Sequence, residues 1–265
     1  MPAPFDPAAV RAILLDIEGT TTPLEFVYNV LFPFARARLR AFLEVRASDP
    51  QICADIEALR HEHAADAQRA ATMPPPQWPE TPQREIEAAS AYAWWLMDHD
   101  RKSTPLKSLQ GKIWQAGYES GGLRGEVYPD VPPALARWKQ QGRRIAIFSS
   151  GSVQAQQLLF RYSAAGDLTS YIDAYFDTTT GPKSDAASYR SIAAALVALD
   201  TTAGRPAATR QTFITNQILF ISDVPAELDA AHSAGLLTGL CVRPGANPSA
   251  QPHHPVLHTF DGVFM

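Results

Sequence analysis

The sequence predicts an α/β protein, a parallel sheet covered by helices on both faces, with an all-helical block inserted near its amino end. Three observations carry this. Short apolar runs recur and each stops at polar or loop-forming residues, helical segments separate the later runs, and between about Leu24 and Gly125 helical periods continue without a convincing strand.

The first run is Ala12-Ile13-Leu14-Leu15, which stops at Asp16 and gives way to Gly19, Thr20, Thr21, Thr22 and Pro23, so a buried strand runs into a loop. Tyr28, Leu31, Phe32, Ala35 and Leu39, and later Ile86, Ala89, Tyr92, Ala93 and Leu96, repeat at helical spacing. Pro74, Pro75, Pro76, Pro79 and Pro82 forbid a helix interior between them, which predicts an extended linker with a pair of helices on each side. After Tyr128-Pro129-Asp130 a helix is expected over Pro132 to Gln141, then a strand over Arg144 to Phe148 ending at Ser149-Ser150-Gly151. A helix from Val153 to Tyr162, a short strand from Ala174 to Phe176 and a loop from Asp177 to Lys183 follow, then a helix from Ala186 to Leu199. Gln217 to Ile221 reads as a strand running into Ser222-Asp223, Pro225 to Ala234 as a helix, and Leu236 to Val242 as a strand. The Thr- and Ala-rich stretch from Asp200 to Thr215 reads as a surface loop. Two domains follow: a core of residues 1–23 and 126–265, and a helical insert of residues 24–125.

Composition narrows the classes of function. With 46% hydrophobic and 19% charged residues the chain is built to fold. Twenty-seven acidic against 23 basic residues leave a net charge of −4, so no overall field draws it to nucleic acid or to an anionic membrane surface. Cys53 and Cys241 are far apart and form no C-x-x-C pair, which argues against a disulfide framework or a structural zinc site. His61-Glu62-His63 turns its two imidazoles to different helix faces, and His253-His254 lies in a proline-bounded tail; neither is read as a metal site. The amino terminus lacks a basic start followed by an apolar run, and no apolar stretch approaches a membrane span, so a cytoplasmic protein is expected.

In an open parallel sheet ligands sit beyond the carboxyl ends of the strands. Those ends present Asp16 with Glu18, Ser149 with Ser150, Lys183 in the loop after the short strand, and Asp223. Each alone is more often a cap or a turn former. Together they supply a nucleophile, an acid, hydroxyl donors, a cation and a second carboxylate.

The stretch Asp16-Ile17-Glu18-Gly19-Thr20-Thr21-Thr22-Pro23 resembles the first motif of the haloacid dehalogenase superfamily. With Glu two residues after Asp and three threonines following, it resembles the acireductone synthases, the enolase-phosphatases of methionine salvage. The likeness continues through Phe148-Ser149-Ser150-Gly151-Ser152-Val153, Lys183, and Leu219 to Pro244, and covers nearly the whole chain. It implies a Rossmann-like core with a helical cap between the first and second motifs. The implied substrate is 2,3-diketo-5-methylthiopentyl 1-phosphate, enolised and then dephosphorylated to the acireductone, with no nucleic-acid or membrane partner and a monomeric state. By the same resemblance Asp16 attacks phosphorus to form an aspartyl-phosphate, and Glu18 protonates the leaving oxygen and then activates water. Ser149, Ser150 and Lys183 bind the substrate. Mg2+ is held by Asp16, Asp223 and the backbone carbonyl of Glu18.

Glu18 and Lys183 are both candidates for the enolising base. Glu227, four residues after Asp223, is a possible outer partner of the metal. Trp78, Trp94, Trp95 and Trp114 of the insert either line an apolar pocket or pack helices, and Lys112 is considered as a contact to the substrate. Pro182 stands where relatives commonly have histidine. The alternatives are a related phosphatase acting on another small phosphomonoester and a non-catalytic, phosphate-responsive binding module.

Overall fold

The computed structural model describes residues 5–69, 73–79, 81, 84–202, 214–245 and 253–265. They fall into two compact units: Met1–Val27 with Arg124–Met265, and Tyr28–Leu123.

The first unit is built on six parallel strands, β1 (Ala12–Leu15), β2 (Arg144–Phe148), β3 (Ala174–Phe176), β4 (Ile218–Ser222), β5 (Leu237–Cys241) and β6 (Val256–Leu257), in the order β3-β2-β1-β4-β5-β6. β1 lies between β2 and β4, with Leu14 opposite Ala146 on one side and Phe220 on the other. Every residue of β1 and β4 is buried, the mark of strands covered on both faces. On one face Ala12, Leu14, Ala146, Phe148, Ile218 and Phe220 pack with Tyr189, Ile192 and Leu196 of α8 (Ala186–Thr202) and Leu228 of α9 (Pro225–Ser233). By strand alternation Ile13, Leu15, Ile145 and Ile147, also fully buried, point to the opposite face. Asp16 thus ends a central strand, at the point where the chain order departs to either side, the place in such sheets where a ligand crevice forms.

The expected strands are present. β6, in the proline-bounded tail, was not anticipated: two residues too short to show a period pair with Leu240 and Cys241 of β5. The helix after Lys183 runs to Thr202 rather than Leu199, so the first residues of the surface loop expected from Asp200 are helical instead; residues 203–213 of that stretch lie outside the described residues.

The second unit contains α2 (Phe32–Arg46), α3 (Pro50–Arg69), α4 (Glu85–Asp98) and α5 (Thr104–Glu119). Ahead of α2 the backbone widens into a π turn over Val27–Leu31. Pro33 cannot donate to Asn29, so the regular helical ladder is interrupted there. The tryptophans are used within this unit. Trp114 Nε1 donates to Leu31 O at 2.8 Å, Trp94 Nε1 to Arg36 O at 3.1 Å, and Trp95 stacks on Tyr92 with ring centroids 5.8 Å apart. His63, buried, bonds Pro76 O through Nε2 at 2.7 Å and lies 5.3 Å from the Trp78 ring, fastening the proline segment to α3. Lys112 is likewise engaged, with Asp55 at 2.5 Å and Ser108 at 3.1 Å; this explains its position without a substrate.

Candidate active site

Local folding brings the strand-end residues together. Ile17 O accepts the amides of Thr20, Thr21 and Thr22, and Thr21 Oγ1 donates to Asp16 O at 3.1 Å, so the loop after β1 curls tightly and all three threonines are buried. Gly19 adopts φ +70°, and a Cβ there would lie 2.2 Å from Asp223 Oδ2, so only glycine allows the first loop to lie against the end of β4. Gly19→Ala is therefore expected to lower kcat for phosphate release by at least about tenfold, through displacement of Glu18 and Asp223. Steady-state kinetics on the folded variant check this, and a variant as fast as wild type would contradict it.

Lys183 Nζ lies 2.5 Å from Asp16 Oδ1 and 2.7 Å from Glu227 Oε2, so one ammonium bridges two carboxylates. Its backbone is set by α8: Tyr189 Oη donates to Lys183 O and Ser188 Oγ to Pro182 O, both at 2.8 Å. Pro182 is exposed, and its missing N–H leaves this arrangement undisturbed. Glu227 Oε2 also accepts from Ser222 Oγ at 2.9 Å. Glu227 is the residue considered above as an outer partner of the metal. Standing in the first turn of α9, it faces the ammonium of Lys183, a juxtaposition that sequence spacing does not reveal.

Ser149 Oγ is 3.2 and 3.3 Å from the two Glu18 oxygens and accepts from Gly151 N at 3.0 Å. The amino-terminal cap of α7 (Val153–Arg161) is instead Ser152, which accepts from Ala155 N at 3.3 Å. Capping therefore does not explain Ser149, which is buried at the end of β2. Ser150, next to it, is exposed.

Charge sets the properties of the cluster. Burial, and then the charge of Asp16, raise the Glu18 carboxyl above the usual carboxylate value. The same two causes raise Glu227 and push Asp223 up to about 7. Burial alone would pull Lys183 down, but Asp16 and Glu227 outweigh it and hold its ammonium above the ordinary lysine value. Asp223 Oδ1 is buried without a hydrogen-bond partner among the described residues. A carboxylate in this state, close to a second one, fits a hard cation, which would satisfy its open oxygen and lower the repulsion. Among the described residues no group of three or more His, Cys, Asp or Glu side chains forms a metal cage. Asp16 and Asp223 supply two carboxylates, in keeping with an ion that retains several waters.

A sequence profile described as haloacid dehalogenase-like hydrolase matches residues 10–235. Over 255 residues the chain is 50% identical to Enolase-phosphatase E1 of Synechococcus elongatus, an alignment that covers 96% of this chain and 98% of the relative. The chain belongs to the enolase-phosphatase family of haloacid dehalogenase-like hydrolases. Enolase-phosphatase E1 of Sorangium cellulosum is 44% identical over 96% of this chain and 97% of its own. The crystal structure of the UTR4 protein from Saccharomyces cerevisiae superimposes with a TM-score of 0.71 at 31% identity, covering 95% of this chain and 99% of that one. As a member of the enolase-phosphatase family the chain is an enzyme that joins enolase to phosphatase chemistry, and haloacid dehalogenase-like hydrolases generally use Mg2+. Among the described residues no helix is long and apolar enough to cross a membrane.

Proposed function

We propose that this enzyme converts 2,3-diketo-5-methylthiopentyl 1-phosphate to 1,2-dihydroxy-3-keto-5-methylthiopentene and phosphate, with Asp16 as nucleophile and Glu18 as acid and base. The observation that carries the assignment is the buried Asp16 carboxylate held 2.5 Å from Lys183 with Glu18 beside it, in a chain whose relatives are enolase-phosphatases over nearly their whole length. Asp16 and Asp223, with the carbonyl of Glu18, would hold Mg2+, whose charge when bound offsets the repulsion between nucleophile and phosphate. Residues 1–23 and 126–265 form the catalytic domain in this reading, and the helical insert of residues 24–125 is the cap that reads the non-phosphate end.

The chain's own groups divide the work. Asp16 attacks phosphorus in line, and the bond from phosphorus to the ester oxygen on C1 of the substrate breaks as Glu18 gives that oxygen a proton. Water then attacks the aspartyl-phosphate, Glu18 takes the water's proton, and the bond from phosphorus to Asp16 breaks to free phosphate. A raised Glu18 pKa suits both the donation and the return. Ser149 can turn its hydroxyl from Glu18 to a phosphoryl oxygen, Ser150 lies at the amino end of the loop leading to α7, and Lys183 balances the transferring charge. For enolisation a proton must leave a carbon beside a carbonyl. Lys183, paired with two carboxylates, has no free electron pair to accept it, so Glu18 is the base and Lys183 stabilises the enolate.

The test is a time course of the diketone phosphate with wild-type enzyme and Mg2+, following enol absorbance and free phosphate together. An enol that forms before phosphate supports the reading. Phosphate release with no preceding enol would leave a simple phosphatase, and absence of metal-dependent turnover would favour a binding module.

A further inference from the structure

The chain leaves β5 through Val242 and Arg243, and Arg243 turns back under the first catalytic loop with only 5% of its surface exposed. Its Nε and Nη2 both donate to Thr20 O, at 2.9 and 2.6 Å, and its Nη1 donates to Asp130 Oδ2 at 2.6 Å. The guanidinium lies between two rings, 4.2 Å from the centroid of Tyr128 and 4.5 Å from that of Phe260. Asp130 Oδ2 in turn accepts from Phe260 N at 2.6 Å and from Thr259 Oγ1 at 3.0 Å. The guanidinium is thus held along its edge by Thr20 O and Asp130 and across its plane by the two rings.

A buried ion pair is weak grounds for stability, because desolvation offsets much of its attraction. This one is aimed at a single backbone carbonyl. Thr20 follows Glu18 by two residues and Asp16 by four, and most of the loop's other backbone hydrogen bonds are internal, to Ile17 O and between Gly19 N and Thr22 O. Tyr128 N on Thr21 O and the paired donors of Arg243 on Thr20 O tie it to the chain beyond. The space on the other side is already taken, since a Cβ on Gly19 would fall 2.2 Å from Asp223 Oδ2.

We propose that Arg243 is a positioning residue for catalysis: by holding Thr20 O with two donors it fixes Glu18 and Gly19 relative to Asp16 and Asp223, while Asp130 and the two rings fix Arg243. This rests on the roles given above to Asp16 and Glu18. Lysine can carry the charge but cannot aim two N–H groups in one plane at the same oxygen. Asp130→Asn leaves both bonds to Thr20 available and keeps an oxygen for Arg243.

The experiment compares Arg243→Lys, Asp130→Asn and Asp16→Asn with wild type in thermal unfolding and in steady-state kinetics on the diketone phosphate with Mg2+. The proposal expects Arg243→Lys to lose kcat by at least about tenfold with KM within about threefold of wild type. Asp130→Asn, though less stable, should lose clearly less. Losses of kcat that follow the unfolding temperatures of the two variants, a loss confined to KM, or an Arg243→Lys enzyme as fast as wild type would overturn it. Should Arg243→Lys fail to fold, the double variant Arg243→Gln with Asp130→Asn, which buries no lone charge, is judged by the same split: reduced kcat at unchanged KM supports the role, and wild-type kcat removes it. If Asp16→Asn remains active, the underlying reading fails instead.

Discussion

Replacing Asp16 by Asn is expected to stop phosphate release while leaving the fold at least as stable as wild type. The amide keeps the shape of the carboxyl but cannot form an acyl phosphate, and loss of a covalent nucleophile costs on the order of 10³-fold or more. The stability expectation follows from crowding. Asp16 raises the pKa of Glu18, Asp223 and Glu227, so removing its charge relieves three neighbouring carboxyls, while Lys183 retains Glu227. Active sites commonly hold such unfavourable arrangements at a cost in stability. Phosphate release and thermal unfolding on the same preparation check both halves. Residual turnover above about one per cent of wild type would remove Asp16 as the nucleophile.

Lys183→Met should do the opposite to stability and the same to activity. Its ammonium is nine-tenths buried between Asp16 and Glu227, and its removal leaves two buried carboxylates facing each other with Glu18 and Asp223 close by. Leaving buried charge uncompensated typically costs about 3–5 kcal/mol. Turnover should fall at least about 100-fold, because the charge that balances the transferring phosphoryl group is gone. The variant should also gain more thermal stability from added Mg2+ than wild type does, because the cation then meets an excess of negative charge. A Lys183→Met protein that melts with wild type and does not respond to Mg2+ would contradict the account of the cluster.

These two residues also show how far the sequence could be read. Asp16 was legible because an apolar run of strand length stops at a carboxylate and a glycine-threonine loop follows, a pattern in which the strand end and its chemistry lie together. Lys183 carried no local signal and was found only by its place in the order of motifs. Its partner Glu227 was visible as a carboxylate four residues past Asp223, but spacing cannot tell whether a first-turn side chain faces a metal or the ammonium that another loop brings in. Arg243 follows a strand, as Asp16 and Asp223 do, yet its meaning depends on Thr20 O, Asp130 and Phe260, which are more than a hundred residues away or close only through a two-residue strand. The parallel sheet was legible because β1 and β4 are buried throughout and read as unbroken apolar runs; β6 was not, because two residues make no period. In the insert the aromatic residues and Lys112 were visible, but whether they serve a ligand or each other depends on contacts, and Tyr92 on Trp95, Trp114 on Leu31 and Lys112 on Asp55 are contacts within the helices.

The central claim is that a buried aspartate, balanced by a lysine, takes the phosphoryl group onto itself. It is tested most directly by mixing enzyme with radiolabelled diketone phosphate, quenching in acid within a single turnover, and mapping the labelled peptide. The account predicts a transient phosphoryl group on the peptide carrying Asp16, decaying as phosphate appears and absent from Asp16→Asn. Label on another residue, or free phosphate appearing at full rate with no phosphoenzyme at any time, would contradict it.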